Sequence, residues 1–306
     1  VYVWDTFNME GGAISGNTAT SYGGGVYVYG TFTMEGGYFG TNAIDKNVNA
    51  TANIYGGYFA AQQTNYIAAG NTCVQIDNSD PSYKEGYNYR VGHAHENDDD
   101  TYTWFTAISA EDGTLNGGNY YLPYDVTLTN NITIDSEVTL CLNGHILRGN
   151  GNGSVVRINS GTFTLCDCNG SNGEHDYYIN DSGLYVVDDG TEDWNTAYTA
   201  ADEKGAITGG VITGGTGIIN GNNTCGGGVS VNDNRANFIM EGGTISGNSA
   251  DEGGGVYVHI GTFIMMGGEI SGNNAAEWGG GVEMYGGTFE MSGGKIWGNN
   301  EAECGG

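Results

Sequence analysis

Basic residues are scarce in this chain. Lys and Arg together number 8 against 36 Asp and Glu, a formal charge of −28. Nucleic acid and anionic membrane surfaces recruit clustered cations, so neither is expected as a partner. No segment has the unbroken apolar length of a membrane span. The six cysteines do not make a zinc pattern, since Cys166-x-Cys168 stands without a second pair at suitable spacing. Acidic runs exist, at Asp98-Asp99-Asp100, Asp188-Asp189, Glu192-Asp193 and Asp251-Glu252, but none has EF-hand spacing. They read as solvated acidic surface. No cofactor is expected, calcium being the one ion such a surface could hold, and the identity of any metal stays open.

What the chain has is glycine, 57 residues of it, in a unit that returns along both ends. The unit reads Gly23-Gly24-Gly25-Val26-Tyr27-Val28 then Phe32-Thr33-Met34-Glu35-Gly36-Gly37, and again Gly253-Gly254-Gly255-Val256-Tyr257-Val258 then Phe263-Ile264-Met265 with Ile270-Ser271-Gly272-Asn273. Aligned on phenylalanine, the steps from Phe7 to Phe32, from Phe238 to Phe263 and from Phe263 to Phe289 are each about 25 residues, a period that marks repeat architectures. Short alternating segments separated by glycine at such a period are the mark of a solenoid. There is no G-X-Y period, so a collagen-like chain is excluded, and the strict apolar positions exclude disorder.

Within a unit the apolar residues alternate, which places them on one face of short strands. One unit buries almost nothing by itself, so stability has to come from stacking, with parallel strands about 4.8 Å apart. Three ladders follow: Val26, Val229, Val256 and Val282; Phe7, Phe32, Phe238, Phe263 and Phe289; Met9, Met34, Met240, Met265 and Met291. The predicted fold is all-β, a parallel β-helix with three short strands per coil of about 25 residues and loop insertions. Glycine at the corners supplies turns that need positive φ. Asn17, Asn248, Asn273 and Asn299 recur at one corner, and we expect them to form a buried or half-buried asparagine ladder.

The period divides the chain. Residues 1–72 read as coils ending one module, 73–122 as a polar junction or cap that contains the first proline, Pro81, and 123–306 as a second array whose segment 169–204 leaves as an insertion loop. His93-x-His95 followed by Glu96 could ligate a metal, but is better read as part of an exposed junction loop. His145 in the Asn143-Gly144-His145 turn is read as a corner residue. Cys141 and Cys166 are one coil length apart, either stacked thiols or a disulfide between coils; Cys225 and Cys304 are about three coils apart, too far to bond.

Tyr120-Tyr121-Leu122, Leu140-Cys141-Leu142-Asn143-Gly144-His145, Leu165-Cys166-Asp167-Cys168 and the repeated glycine-triplet units resemble the large β-helical, adhesin-like surface proteins of gut Firmicutes. These are similar to the pectin-lyase-like parallel β-helix superfamily. The resemblance covers most of the chain. It implies a right-handed helix, in keeping with the usual hand of parallel crossovers, and an extracellular place on a bacterial surface or in the secreted fraction. It says little of activity.

Written end to end, Glu303-Cys304-Gly305-Gly306 runs into Val1-Tyr2-Val3-Trp4 and restores the motif. The step from Val282 through Gly306 to Val1 is one repeat of about 25 residues, and the step from Val1 to Val26 is the same. The chain opens inside a repeat, so we expect either a tandem array of 306-residue units or copies stacked head to tail, with the protein itself as first partner. The leading function is a structural rod, a surface filament or adhesin stalk. A second reading is a carbohydrate-binding module, because Tyr2, Tyr27 and Tyr257 fall between inward valines, with Trp4, Tyr29, Trp278 and Trp297 near strand ends, and aromatic faces stack on sugars. Third comes a polysaccharide lyase or hydrolase. A base beside metal-neutralised uronates, or converging carboxylates, would be needed, and no such constellation is visible, so no catalytic residue is assigned.

Overall fold

A computed structural model describes the chain except for residues 42, 81–82, 99–100, 189–203, 222, 302 and 306. The expectations on Asp99, Asp100, Asp189, Glu192, Asp193 and Gly306 lie outside the described residues. The described chain is all-β, without a helix, and forms two compact units, Val1–Phe105 and Thr106–Gly306.

In the second unit three parallel sheets run side by side in sequence order. One has seven strands: Thr106–Ala107, Gly118–Tyr121, Val138–Cys141, Gly161–Cys166, Ala236–Met240, Thr262–Met265 and Thr288–Met291. The second has six, from Thr114–Leu115 through Val156–Ile158, Val229–Val231 and Val256–Val258 to Val282–Met284. The third has six as well, from Val126–Thr127 through Ile146–Arg148 and Thr244–Ser246 to Lys295–Trp297. Each repeat adds one strand to each sheet, and every such pairing is parallel.

Register follows the sequence ladders. Val156, Val229, Val256 and Val282 are successive partners, as are Phe163, Phe238, Phe263 and Phe289. The phenylalanine rings stack with centroids 5.6, 4.8 and 4.9 Å apart. Slipping a strand by one residue would turn its apolar side chains outward, so the alternation itself holds the register. Phe163, Leu165 and Val156 join ladders that the glycine-anchored unit did not include, because their repeat lacks the glycine triplet.

The first unit repeats the pattern on a smaller scale. Tyr2–Val3, Val26–Val28 and Ile44–Lys46 pair in parallel, as do Thr6–Met9, Thr31–Met34 and Thr51–Ile54. Phe7 stacks on Phe32, and Met9 pairs with Met34. A third sheet starts parallel, with Ala13–Ile14, Tyr38–Phe39 and Gly57–Phe59, then turns antiparallel through Tyr89–Gly92 and Thr72–Gln75. Thr72–Gln75 and Tyr89–Gly92, in the stretch expected to be a junction or cap, are therefore strands of this sheet.

The strand pairing corrects four expectations. The second array begins at Thr106 and not at 123, since Thr106–Ala107 and Gly118–Tyr121 already pair in its widest sheet. Later repeats carry a fourth strand. Ser249–Glu252, Asn274–Trp278 and Asn300–Glu301 form a parallel ladder of their own, joined to the hairpin of Ile218–Asn220 and Asn223–Cys225. Its inward residues are small, Ala250 over Ala275, so the hydrophobic pattern did not announce it. The described part of the 169–204 insertion is not merely a loop: Glu174–Ile179, Tyr185–Val187 and Lys204–Thr208 make an antiparallel sheet. Finally, His93 is buried, its Nδ1 2.6 Å from the Gly70 carbonyl and its ring edge-on to Phe105, so the His-x-His segment is no exposed loop.

Candidate functional site

The outermost repeats are more exposed than those inside them. Met265 is fully buried, while its register partner Met291 is 47% exposed. Val256 and Phe263 are buried, yet Val282 and Phe289 are only half-buried. At the start of the first unit Val1 is 57% exposed and Phe7 is half-buried, against fully buried Val26 and Phe32 one repeat in. Val3 keeps its inward place over Val28. Among the described residues, apolar ladder residues in these repeats have a stacked neighbour on one side, whereas their inner counterparts have one on both.

The asparagine corner is a hydrogen-bonded column. Asn248 donates from its backbone N–H and its Nδ2 to Asn273 Oδ1, both at 3.0 Å, and Asn273 donates to Asn299 Oδ1 at 3.1 and 2.9 Å in the same way. Each amide also donates to the carbonyl two residues before it, Ser246, Ser271 or Trp297. Asn17 is exposed but makes the matching bond, to Ser15 O at 3.0 Å, so it holds the corner geometry without the burial. Among the junction residues, Cys304 bridges to Trp278 and its carbonyl accepts from Gly279, and the Gly305 carbonyl accepts from Gly280, continuing the ladder of glycine corners.

Two further clusters carry chemistry in the second unit. A groove of about 270 Å³ lies between the sheet containing Ile146–Arg148 and the antiparallel insertion, lined by Asp125, Arg148, Glu174, His175, Asp176 and Asp188 among others. Asp125 Oδ1 accepts from the Ile146 N–H at 2.9 Å and lies 3.2 Å from His145 Nδ1. Burial would raise its pKa, but these hydrogen bonds, with the nearby His175 and His145 rings, hold the carboxyl below its ordinary range. Arg148 Nη2 donates to the carbonyls of Val187 and Asp188, and so ties the insertion to the sheet. His145 is thus at a corner, as expected, but one that orients an acidic partner.

The second cluster is of sulfur. Cys141 and Cys166 are register partners, as their spacing predicts, and a third sulfur joins them, with Cys141 Sγ 2.8 Å from Cys168 Sγ. No disulfide joins any of the six cysteines. Cys225 and Cys304 sit three strand steps apart, through Glu252 and Trp278, in agreement with the sequence.

The aromatic expectation divides. In the first unit Tyr2, Trp4, Tyr27 and Tyr29 cluster on the outer face of one sheet with centroids 4.7 to 5.7 Å apart, Trp4 being 72% exposed. Tyr257, expected outside, is 1% exposed. The hairpin of Ile218–Asn220 and Asn223–Cys225 brings Asn220 and Cys225 to it, and burial, then the neighbouring Cys225 and Glu252, push its phenol well up. In the same cluster Asn223 Nδ2 donates to Glu252 Oε1 at 2.8 Å and to Glu277 Oε2 at 2.9 Å, an amide standing where two carboxylates meet.

No family model, curated protein or solved structure matches this chain.

Proposed function

We propose that the protein is a structural rod, a right-handed parallel β-helix of the adhesin-like surface type it resembles, located outside the cell. In this reading its column continues in register, as tandem units or as copies stacked head to tail. The observation that carries the reading is the partly uncovered ladder residues, Val282, Phe289 and Met291 in the last repeat of the second unit and, in the first repeat of the first unit taken by itself, Val1 and Phe7. A second layer with the same ladder would bury what these repeats leave exposed and pair their strand groups. The Asn299 backbone N–H occupies the place from which Asn248 and Asn273 donate to the next asparagine, and Asn17 of a following unit has the matching corner.

Electron microscopy and sedimentation of the purified chain over a range of concentrations test this. Rods with an axial repeat of one unit, lost on Met291→Lys with circular dichroism unchanged, support stacking between copies. Monodisperse short particles at high concentration would refute it for separate chains, and a two-unit tandem that also failed to extend the rod would refute the continuous form.

The aromatic cluster favours carbohydrate binding as the second reading. Rings with an apolar face and phenolic edges suit sugar stacking, and the charge of −28 selects neutral over acidic glycans. Glycan-array binding that survives in wild type and is lost in Trp4→Ala supports it; equal signals from both proteins would dismiss it.

A further inference from the structure

The sulfur cluster is unused by either reading. Cys141 ends the strand Val138–Cys141, and Cys166 ends its parallel neighbour Gly161–Cys166. Two residues later the chain turns away toward the antiparallel insertion, and this carries Cys168 back over Cys141. Both backbones are pinned around the pair. Leu142 N–H donates to Cys166 O at 2.9 Å, Gly144 N–H to Asp167 Oδ1 at 2.8 Å, and Gly210 N–H to Asp167 Oδ2 at 2.6 Å. Asn143 adopts a φ of 53° and Gly144 one of 78°, a left-handed corner that glycine and asparagine accept. The Cys168 N–H itself points at Cys141 Sγ, 3.3 Å away.

We propose that Cys141 and Cys168 form a reversible disulfide that ties the parallel sheet to the root of the antiparallel insertion, a low-molecular-weight disulfide such as oxidised glutathione being the oxidant. The sulfurs at 2.8 Å need to approach by less than about 1 Å to reach the bonded distance of roughly 2.05 Å. Cys168 is exposed and Cys141 buried, so the first step belongs to Cys168. Its thiol loses a proton to solvent and attacks one oxidant sulfur, releasing one small thiolate and leaving a mixed disulfide. The Cys141 thiol then loses its proton, attacks Cys168 Sγ and expels the second small thiolate. Two electrons pass from the protein to the oxidant, two thiols become one disulfide, and one small disulfide becomes two thiols.

The surroundings set the rate. The hydrogen-bonding contact with the Cys141 sulfur, and then desolvation of the sulfur atoms, disfavour the thiolate of Cys166 and Cys168 and push their pKa values well up. Oxidation should accordingly be slow at neutral pH and accelerate as pH rises. Cys166, the register neighbour, is the internal competitor for Cys141.

The test uses the full chain, incubated with oxidised glutathione at pH 8.5, quenched by acid and alkylation, and mapped by mass spectrometry. The expected result is loss of two thiols, one cross-linked peptide joining Cys141 to Cys168, and a thermal midpoint higher by roughly 5–10 °C, for a loop of 27 residues, reversed by dithiothreitol. Cys168→Ser, at an exposed position, should fold with unchanged circular dichroism and give no cross-link, while Cys166→Ser should still give it. A lasting glutathione adduct on Cys168, a Cys141–Cys166 link, unchanged thiol counts, or thiols protected by a zinc ion seen in native mass spectrometry and released by chelator would each overturn the proposal.

Discussion

Replacing Asn273 with alanine should be among the most damaging single changes in the second unit that remove no apolar contact. The Asn273 side chain is fully buried. Its Nδ2 donates to Ile245 O at 2.8 Å, Ser271 O at 3.2 Å and Asn299 Oδ1 at 2.9 Å, and its Oδ1 accepts from Asn248 N and Nδ2, both at 3.0 Å. Alanine removes all five bonds and admits no replacement from the chain. A neutral hydrogen bond is worth about 1 kcal/mol net, but a buried group left without a partner costs about 1–3 kcal/mol. The Asn248 N–H and the Ile245 carbonyl are the groups most exposed to that penalty, which places the loss at roughly 3–5 kcal/mol. Asn17→Ala at the equivalent exposed corner removes the bond to Ser15 O and should cost about 0.5 kcal/mol or less.

The contrast is read by urea unfolding of the two variants side by side. Asn273→Asp sharpens it. A buried carboxylate facing the Ile245 and Ser271 carbonyls would have its folded pKa raised above the unfolded value of about 3.9. The aspartate variant should then be most stable below that value and lose stability as pH rises through the folded pKa, a dependence wild type lacks at this position. A loss under about 1 kcal/mol for Asn273→Ala, or equal losses at Asn273 and Asn17, would refute the reasoning that the column is a buried bonded element.

Phe263→Ala should cost about 3–5 kcal/mol, since its ring is sandwiched between Phe238 and Phe289. Phe289→Ala should cost less in dilute protein, and if copies stack its cost should grow with protein concentration in thermal scans. Asp125, with a depressed pKa, contributes stability that is present above about pH 4 and lost as pH falls through its folded value. Asp125→Asn should therefore lower the urea midpoint at pH 6 and converge with wild type near pH 2. Gly272 has a φ of 61°, and a Cβ there would run into the Tyr185 ring. Gly272→Ala should lift Tyr185 off the sheet, seen as faster hydrogen exchange at the Tyr185 N–H, which donates to Gly272 O, with the exchange of Val256–Val258 unchanged. Cys225, pushed up to about 12 by burial and then by Glu252, should resist alkylation at pH 8 while the chain is folded and react once it is unfolded.

Much of this molecule can be read locally. A strand that buries one face must alternate, and a stacked repeat must alternate at the same positions in every copy, so Val256, Phe263 and Met265 declare both their strands and their partners. The asparagine column is legible for the same reason, because one corner recurs at one step. Repeats without the glycine triplet carry a weaker local signal. Phe163 stacks directly on Phe238, yet the two are distant in sequence because the antiparallel insertion intervenes. The fourth sheet leaves no such mark, because Ala250 and Ala275 are too small to stand out in a hydrophobic pattern.

Register is thus written in the order of the residues. Which side chains stack, at what step, and that a repeat cannot stand alone all follow from period and alternation, and these are properties of neighbouring residues. Which outward residues are covered, and which reactive atoms meet, depends instead on the path of the chain in space. Tyr257 is buried and Tyr2 is not, although both lie in the same Val-Tyr-Val motif, because a hairpin returns over one and not the other. Cys141 meets the sulfur of Cys168, two residues past its in-phase partner Cys166, because the chain turns back as it leaves the repeat at Asp167. Such contacts depend on where departures from the period return, and no periodicity records that.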